Sequence, residues 1–258
     1  MSEPDQQRVV IVTGAAGAMG SEAVRLLAGR GAHVLATDAD ADGLERMAAG
    51  LTGAAGEVAT RVADIADEAA VQGLVEAAVD RWGGLDGLFN IAGIVGDVSL
   101  TLEATTENWD RIMRVNVRSV WLTIKHCLPH LVDRGGGAIV STGSYLAIRG
   151  VEGLGAYGAS KHAVIGLSRT VAVEYAAQEV RVNVVCPGAM DTHMIRATYD
   201  VVCPGDPVRA EEIVLGAIPQ RRLAQPAELA AVGTWLILDA PSHLTGQVIP
   251  VDGGRSAA

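Results

Sequence analysis

Apolar residues in this chain gather in short, nearly solid runs. Between the runs lie longer stretches in which they recur every three or four positions. Val9 to Thr13, His33 to Asp38, Glu57 to Ala63, Leu85 to Ile91, Gly137 to Thr142, Val180 to Val185 and Gln247 to Val251 have the length and β-branched content of strands. Ser21 to Arg30, Ala41 to Ala49, Asp67 to Trp82, Thr106 to Val132, Ala156 to Ala177 and Pro226 to Leu238 read as helices. Pro129 predicts a kink in the last turns of the Thr106 helix. Only Pro187 to Gln225 breaks the rhythm, with prolines, methionines and short helical patches. Strands alternating with helices predict an α/β fold, a doubly wound parallel sheet with helices on both faces. With no repeat, linker or low-complexity segment, residues 1–258 are expected to form a single domain.

Composition narrows the partners. The chain is 49% hydrophobic with 31 glycines and a single phenylalanine, which suits helices packed closely on a buried sheet. A formal charge of −10 with no basic block speaks against nucleic acid or an anionic membrane as partner. Cys127, Cys186 and Cys203 lack metal-ligand spacing and read as isolated thiols in a reducing compartment, so no metal is expected. The opening Met1–Asp5 is acidic without a hydrophobic signal core, and no apolar run approaches membrane-spanning length. A cytoplasmic location is expected.

Thr13-Gly14-Ala15-Ala16-Gly17-Ala18-Met19-Gly20 joins the first predicted strand to the first helix. Glycines there permit a tight turn and let the backbone approach a pyrophosphate, which rests on the helix N-terminus as in Rossmann-type sheets. Gly14, Gly17, Met19 and Gly20 are therefore candidate nucleotide contacts. Asp38 ends the second strand, where a carboxylate accepts hydrogen bonds from both adenosine ribose hydroxyls and repels a 2′-phosphate. No Lys or Arg stands at Ala15, Ala16 or Ala39 to receive that phosphate. NAD is favoured over NADP. The plain alternative is an acidic turn shared with Asp40 and Asp42.

Tyr157-Gly158-Ala159-Ser160-Lys161 carries the candidate chemistry. A phenol, with a reference pKa of about 10, is a poor acid or base near neutrality. A lysine four residues on shares its helix face and favours the phenolate. Proton exchange at working pH then becomes feasible.

Together these residues resemble the short-chain dehydrogenase/reductase family, in its compact single-domain branch, from Val9 to Gly254. The resemblance implies that Asp64 and Ile65 contact adenine and that Asn90-Ile91-Ala92-Gly93 lies along the cofactor. Asn116 is similar to the helix asparagine that holds a proton-relay water. Ser144, Tyr157 and Lys161 match the family's catalytic serine, tyrosine and lysine. Pro187-Gly188 and Thr192 resemble the turn and threonine at the nicotinamide carboxamide, and Val251-Asp252-Gly253-Gly254 resembles the closing tail. In that frame Tyr157 exchanges the proton, and Ser144 holds the carbonyl or alkoxide oxygen. Lys161 lowers the phenol pKa and binds the nicotinamide ribose, and Asn116 positions a water leading from Lys161 to solvent. Residues 189–225 correspond to a substrate lid. Its Met190, Met194, Ile195, Tyr199, Val201, Val202 and Val208, beside Asp191, Arg196 and Asp200, suggest a hydrophobic or cyclic substrate.

Three departures stand out. Ala18 replaces the middle glycine of the branch's Thr-Gly-x-x-x-Gly-x-Gly pattern, with Gly17 displaced beside it. That spacing also fits the family's longer sugar-nucleotide-modifying branch, which chain length and the Val-Asp-Gly-Gly ending oppose. Ile91 replaces a second asparagine, and Glu179 stands where glycine is frequent, at a cost of about 1 kcal/mol if φ is positive there. Among minor candidates, Arg149 and Glu152 fall at the substrate mouth. His162 and His193 read as structural or surface residues, and Arg111, Arg114 and Arg118 as a solvated or subunit-facing stripe.

The reading that follows is an NAD-dependent oxidoreductase interconverting a secondary alcohol and a ketone. A 3-oxoacyl-thioester reductase is the second reading, disfavoured by Asp38 and by Val173 where such enzymes often place an arginine. A non-catalytic NAD-binding regulatory protein is the third, opposed by the intact Asn116, Ser144, Tyr157 and Lys161. The resemblance implies a homo-oligomer, with a tetramer favoured.

Overall fold

The computed structural model describes residues 7–196 and 198–258, leaving out the side chains of Asp200 and Val201. Met1–Asp5 and those two lid side chains therefore lie outside the described residues. The valine- and isoleucine-rich runs form seven strands in the order β3-β2-β1-β4-β5-β6-β7. These are β1 (Val9–Thr13), β2 (His33–Asp38), β3 (Val58–Val62), β4 (Gly87–Asn90), β5 (Gly137–Thr142), β6 (Val180–Pro187) and β7 (Val248–Val251). Every pair is parallel. β1 pairs with β2 on one side and β4 on the other, so the winding direction reverses there. Such a reversal opens a crevice beyond the strand C-termini, the place where ligands bind in sheets of this kind.

Helices cover both faces. On one, Val10, Val12, Val34, Ala36, Phe89 and Val140 pack against α1 (Ala18–Gly29), α2 (Ala41–Ala49) and α10 (Pro226–Leu238). On the other, Ile11, Leu35, Leu88, Ile139 and Val182 meet α3 (Glu68–Trp82), α5 (Ser119–Asp133) and α6 (Gly155–Tyr175). Successive strand residues point to opposite faces, so double coverage is what makes the central strands apolar at every position. Helix starts are written locally. Asp40 accepts from Gly43 N–H at 2.9 Å, Asp67 from Ala70 N–H at 3.0 Å, and Gln225 and Glu228 form a capping box behind Pro226.

The expected long helix from Thr106 is divided. α4 (Thr106–Met113) passes through a wider π turn at Arg114–Arg118 before α5, which continues through Pro129. The break falls at Asn116, whose side chain leaves its own helix to bond a neighbouring loop; such turns often mark functional positions. α1 begins at Ala18 rather than Ser21, because Gly17 is its N-cap and the helix starts directly on the glycine turn. β6 extends two residues further, to Pro187, where it still pairs with Val251. Glu179 adopts φ 58°, the positive value its position suggested. The segment after β6 holds α7 (His193–Arg196), α8 (Tyr199–Val202) and α9 (Pro207–Gly216), gathered on their own small core of Ala189, Tyr199, Ala210, Val214 and Ile218. Among the described residues no helix is long and apolar enough to cross a membrane.

Gly233 of α10 lies against the Phe89 ring, and an added Cβ would stand 2.0 Å from its tip. Gly233→Ala is expected to destabilise the chain by about 1–3 kcal/mol, outweighing the roughly 1 kcal/mol gain in helix propensity. Denaturant unfolding checks this, and adding Phe89→Leu should recover part of the loss.

Candidate active site

The predicted nucleotide residues meet at the β1–β4 crevice. Gly14 takes φ 70°, and a Cβ there would lie 2.6 Å from the Ala92 amide nitrogen, so the turn packs directly on the segment after β4. A Cβ on Gly20 would stand 2.0 Å from the Gly14 carbonyl oxygen. Gly17 begins α1 without any side-chain cap, unlike α2 and α3, and Met19 is buried beneath the turn. The Asp38 carboxylate is aimed by two backbone donors, Ala16 N–H at 3.0 Å and Asp40 N–H at 3.1 Å. The result is a backbone cradle, an uncapped helix start and a fixed carboxylate at its rim. These residues fit a dinucleotide: pyrophosphate at Gly14–Gly20 and a ribose at Asp38.

Several of the expected contact residues also bond within the protein. Asp64 bonds Ala66 N–H at 3.0 Å and Arg114 at 2.6 Å, and these two interactions hold its carboxyl below the usual range. Arg114 and Arg111 remain half-exposed, as a solvated stripe would be, and Arg111 pairs with Asp97 at 3.1 Å. Ile65 is packed in the core. Asn90 turns inward, its Oδ1 accepting from Thr123 at 2.8 Å, while its Nδ2 finds no partner. The replacement at Ile91 leaves the backbone route intact, since Thr13 Oγ1 accepts from Ile91 N–H at 3.1 Å.

Asn116, Ser144, Tyr157 and Lys161 converge. Ser144 follows β5 in extended conformation and caps the turn Tyr145–Ala147, with Leu146 N–H donating to its Oγ at 3.2 Å. Its side chain lies close enough to the Tyr157 phenol to favour the phenolate there. Lys161 lies one helical turn beyond Tyr157, its Nζ 5.8 Å from the phenol ring centre and donating to the Thr142 carbonyl at 2.9 Å. Gly93 adjoins the cluster: a Cβ there would be 3.2 Å from both Lys161 Nζ and Asn116 Oδ1. Asn116, fully buried, accepts from Ile94 N–H at 2.8 Å and donates to the Ile94 carbonyl at 2.8 Å. It also donates to Ser160 Oγ at 3.0 Å, and Ser160 donates in turn to the Tyr157 carbonyl at 2.7 Å. Pro187 ends β6, Gly188 packs on Asp252 with no room for a Cβ, and Thr192 Oγ1 donates to the Met190 carbonyl at 3.4 Å.

Burial dominates the electrostatics of the Tyr157–Lys161 pair. Burial pushes the phenol up to about 12, opposed by the Ser144 side chain, and burial pushes the Lys161 ammonium down to about 8. The buried ammonium donates to the Thr142 carbonyl, which stands in for part of its lost water. Three neighbours went unread in the sequence. Ser160 links Asn116 to α6. Cys186 lies beside the turn before Ser144, with a thiol pushed up to about 11 by burial. Tyr145 sits beside the site beneath Arg255. Only Ser160 carried a signal, its place inside the Tyr157–Lys161 turn. Arg149 donates to the Ala258 carbonyl, Glu152 is exposed, and His162 bonds the Gly158 carbonyl of its own helix.

A doubly wound parallel sheet with a glycine cradle at its switch point defines the Rossmann-type nucleotide-binding class. A family model described as enoyl-(acyl carrier protein) reductase matches residues 14–256. Levodione reductase of Leifsonia aquatica is 37% identical over 97% of this chain and 95% of its own. A levodione reductase crystal structure superposes with a TM-score of 0.94 at 37% identity, covering 97% of this chain and 98% of that one. Cyclohexanol dehydrogenase of Acinetobacter sp. (strain SE19) is 34% identical over 100% of this chain and 98% of its own, and 3-oxoacyl-[acyl-carrier-protein] reductase of Thermotoga maritima 35% over 96% and 97%. The chain belongs to the short-chain dehydrogenase/reductase family, whose members bind a nicotinamide cofactor.

The buried Lys161 has a stability consequence. Its pKa falls from 10.5 to about 8 on folding, so below about pH 8 it is charged in both states and its burial costs roughly 3 kcal/mol. Between about pH 8 and 10.5 the folded chain binds fewer protons than the unfolded one, and this cost is relieved. Lys161→Met is therefore expected to be more stable than the parent at pH 7, with the gap closing over that window. Urea unfolding at several pH values measures it.

Proposed function

We propose that the protein is an NAD-dependent dehydrogenase interconverting a secondary alcohol and a ketone on a hydrophobic, cyclic small molecule. The observation that carries this reading is the meeting of Ser144, Tyr157 and Lys161, with the Ser144 side chain close to the phenol and the lysine over its ring. Ser144 Oγ holds the substrate oxygen against Tyr157. The phenol oxygen takes the hydroxyl proton during oxidation and returns it during reduction. When bound, the nicotinamide accepts or supplies hydride. Lys161, released from the Thr142 carbonyl, binds ribose hydroxyls and favours the phenolate. Asn116 fixes the Ile94 loop against α6 and orders the proton route from Lys161.

Asp38 supports NAD: its two oxygens already accept backbone N–H groups at the turn, and a 2′-phosphate there would meet an acceptor-only carboxylate. Exposed Ile148 and Val151 in the loop before α6, with Met194 and Val202 in the lid, support an apolar substrate. Part-exposed Trp109 and Trp121 and the largely exposed Val173 support a homo-oligomer, with a tetramer favoured. Its mass is measurable by light scattering. Free Cys127, Cys186 and Cys203 support a reducing, cytoplasmic setting.

Tyr157→Phe is expected to lower kcat on alicyclic secondary alcohols by at least about 100-fold while leaving NAD affinity near the parent value. Steady-state kinetics and NAD titration test the two halves, and a near-normal rate removes the proton-transfer role. Asp38→Ala should shift preference toward NADP, read as the ratio of kcat/KM for the two cofactors.

A further inference from the structure

The chain after β7 crosses the reacting end of the sheet. Asp252, 8% exposed, accepts from Gly254 N–H at 3.0 Å and Ser256 N–H at 2.8 Å, curling the chain into a compact turn. That turn places the Arg255 guanidinium over the Tyr145 ring, 4.2 Å from its centre. Tyr145 directly follows Ser144, in the turn that the Ser144 hydroxyl caps. On the same side, the Ala258 carbonyl accepts from Arg149, in the loop between Ser144 and Tyr157. On the other side the turn packs on the lid. Gln220 N–H donates to the Gly253 carbonyl at 3.2 Å, and Gly253 and Gly254 lie against Ile218 and Pro219 with little room for a Cβ.

We infer that residues 252–258 form one wall of the substrate site and that Arg255 is a specificity-determining residue, holding Tyr145 beside Ser144 and limiting the substrate to compact rings. This rests on the dehydrogenase reading above. Arg255 has no carboxylate partner among the described residues. Its planar guanidinium therefore stacks on the ring rather than forming an ion pair. Tyr145 is half-buried beneath it, and the tail joins the Ser144 loop to the lid where neither contacts the other through a strand.

Kinetics with NAD and two alcohols, cyclohexanol and 4-tert-butylcyclohexanol, test the inference. Arg255→Ala is expected to shift the kcat/KM ratio toward the bulkier alcohol by about tenfold, the scale of a steric change in an apolar pocket. The shift should lie in the alcohol KM, with the NAD KM unchanged. Arg255→Lys, which keeps charge but loses planar stacking, should restore less than half of the shift. Hydrogen exchange provides a readout independent of turnover: amides of residues 144–149 should exchange faster in Arg255→Ala, with those of the Gly14–Gly20 turn unaffected. An unchanged ratio of the two alcohols overturns the inference. If the parent oxidises no secondary alcohol, the dehydrogenase reading falls, and exchange alone judges the wall. Faster exchange at 144–149 then supports it, and equal exchange overturns it.

Discussion

Burial of the Lys161 ammonium is the constraint on which the site depends. The side chain is 4% exposed, and no carboxylate pairs with it among the described residues. A buried charge is tolerated only where polar atoms replace water, and here the Thr142 carbonyl at the end of β5 does so at 2.9 Å. The carbonyl is free because parallel strands end together at this edge, β5 giving way to the Gly143–Ser144 turn. The ammonium in turn constrains its neighbours. Gly93 keeps a side chain away from Nζ, and the Cys186 thiol, kept neutral by burial, lies nearby without offering a competing anion.

Around that charge, parts of the chain distant in sequence are clamped by few interactions. Asn116 reaches out of the π turn to both backbone groups of Ile94, and Ser160 carries the connection into α6. At the other end of the same loop, Thr13 Oγ1 holds Ile91 N–H, and Gly14 packs on Ala92. The segment after β4 is therefore fixed from the nucleotide side by β1 and from the reacting side by α4–α6. Geometry at one end follows geometry at the other because both are tied to those few residues.

The strands and most helices were legible because a sheet covered on both faces leaves a local record, apolar residues at consecutive positions and capping residues at helix starts. The glycine turn after β1 was legible for the same reason: Gly14, Gly20 and Asp38 meet backbone requirements visible within a few residues. The π turn was not, since Arg114–Arg118 keeps helical periodicity, and only the side-chain bonds of Asn116 reveal why the winding changes. Nor was the direction of the Tyr157 shift. A lysine one turn away predicts a stabilised phenolate, whereas burial of both groups depends on how Cys186, Tyr145 and the lid-side loops close around them. The Arg255–Tyr145 contact lies between residues far apart in sequence and has no periodic signature.

That division has a physical origin. The end proposed to hold the cofactor is built from strand termini and glycines, where adding one Cβ at Gly14 or Gly20 meets backbone atoms that cannot move. Change there breaks the turn. The end proposed to meet the substrate is built from the loop after Ser144, residues 189–225 with their own small core, and the tail after β7, joined by contacts at the rim of the sheet. These pieces can be exchanged without displacing Lys161 from Thr142 or Asn116 from Ile94. In the proposed dehydrogenase, proton transfer and cofactor geometry would thus be insulated from the surfaces that meet the rest of the substrate, so that substrate range could vary while the reacting centre stays the same.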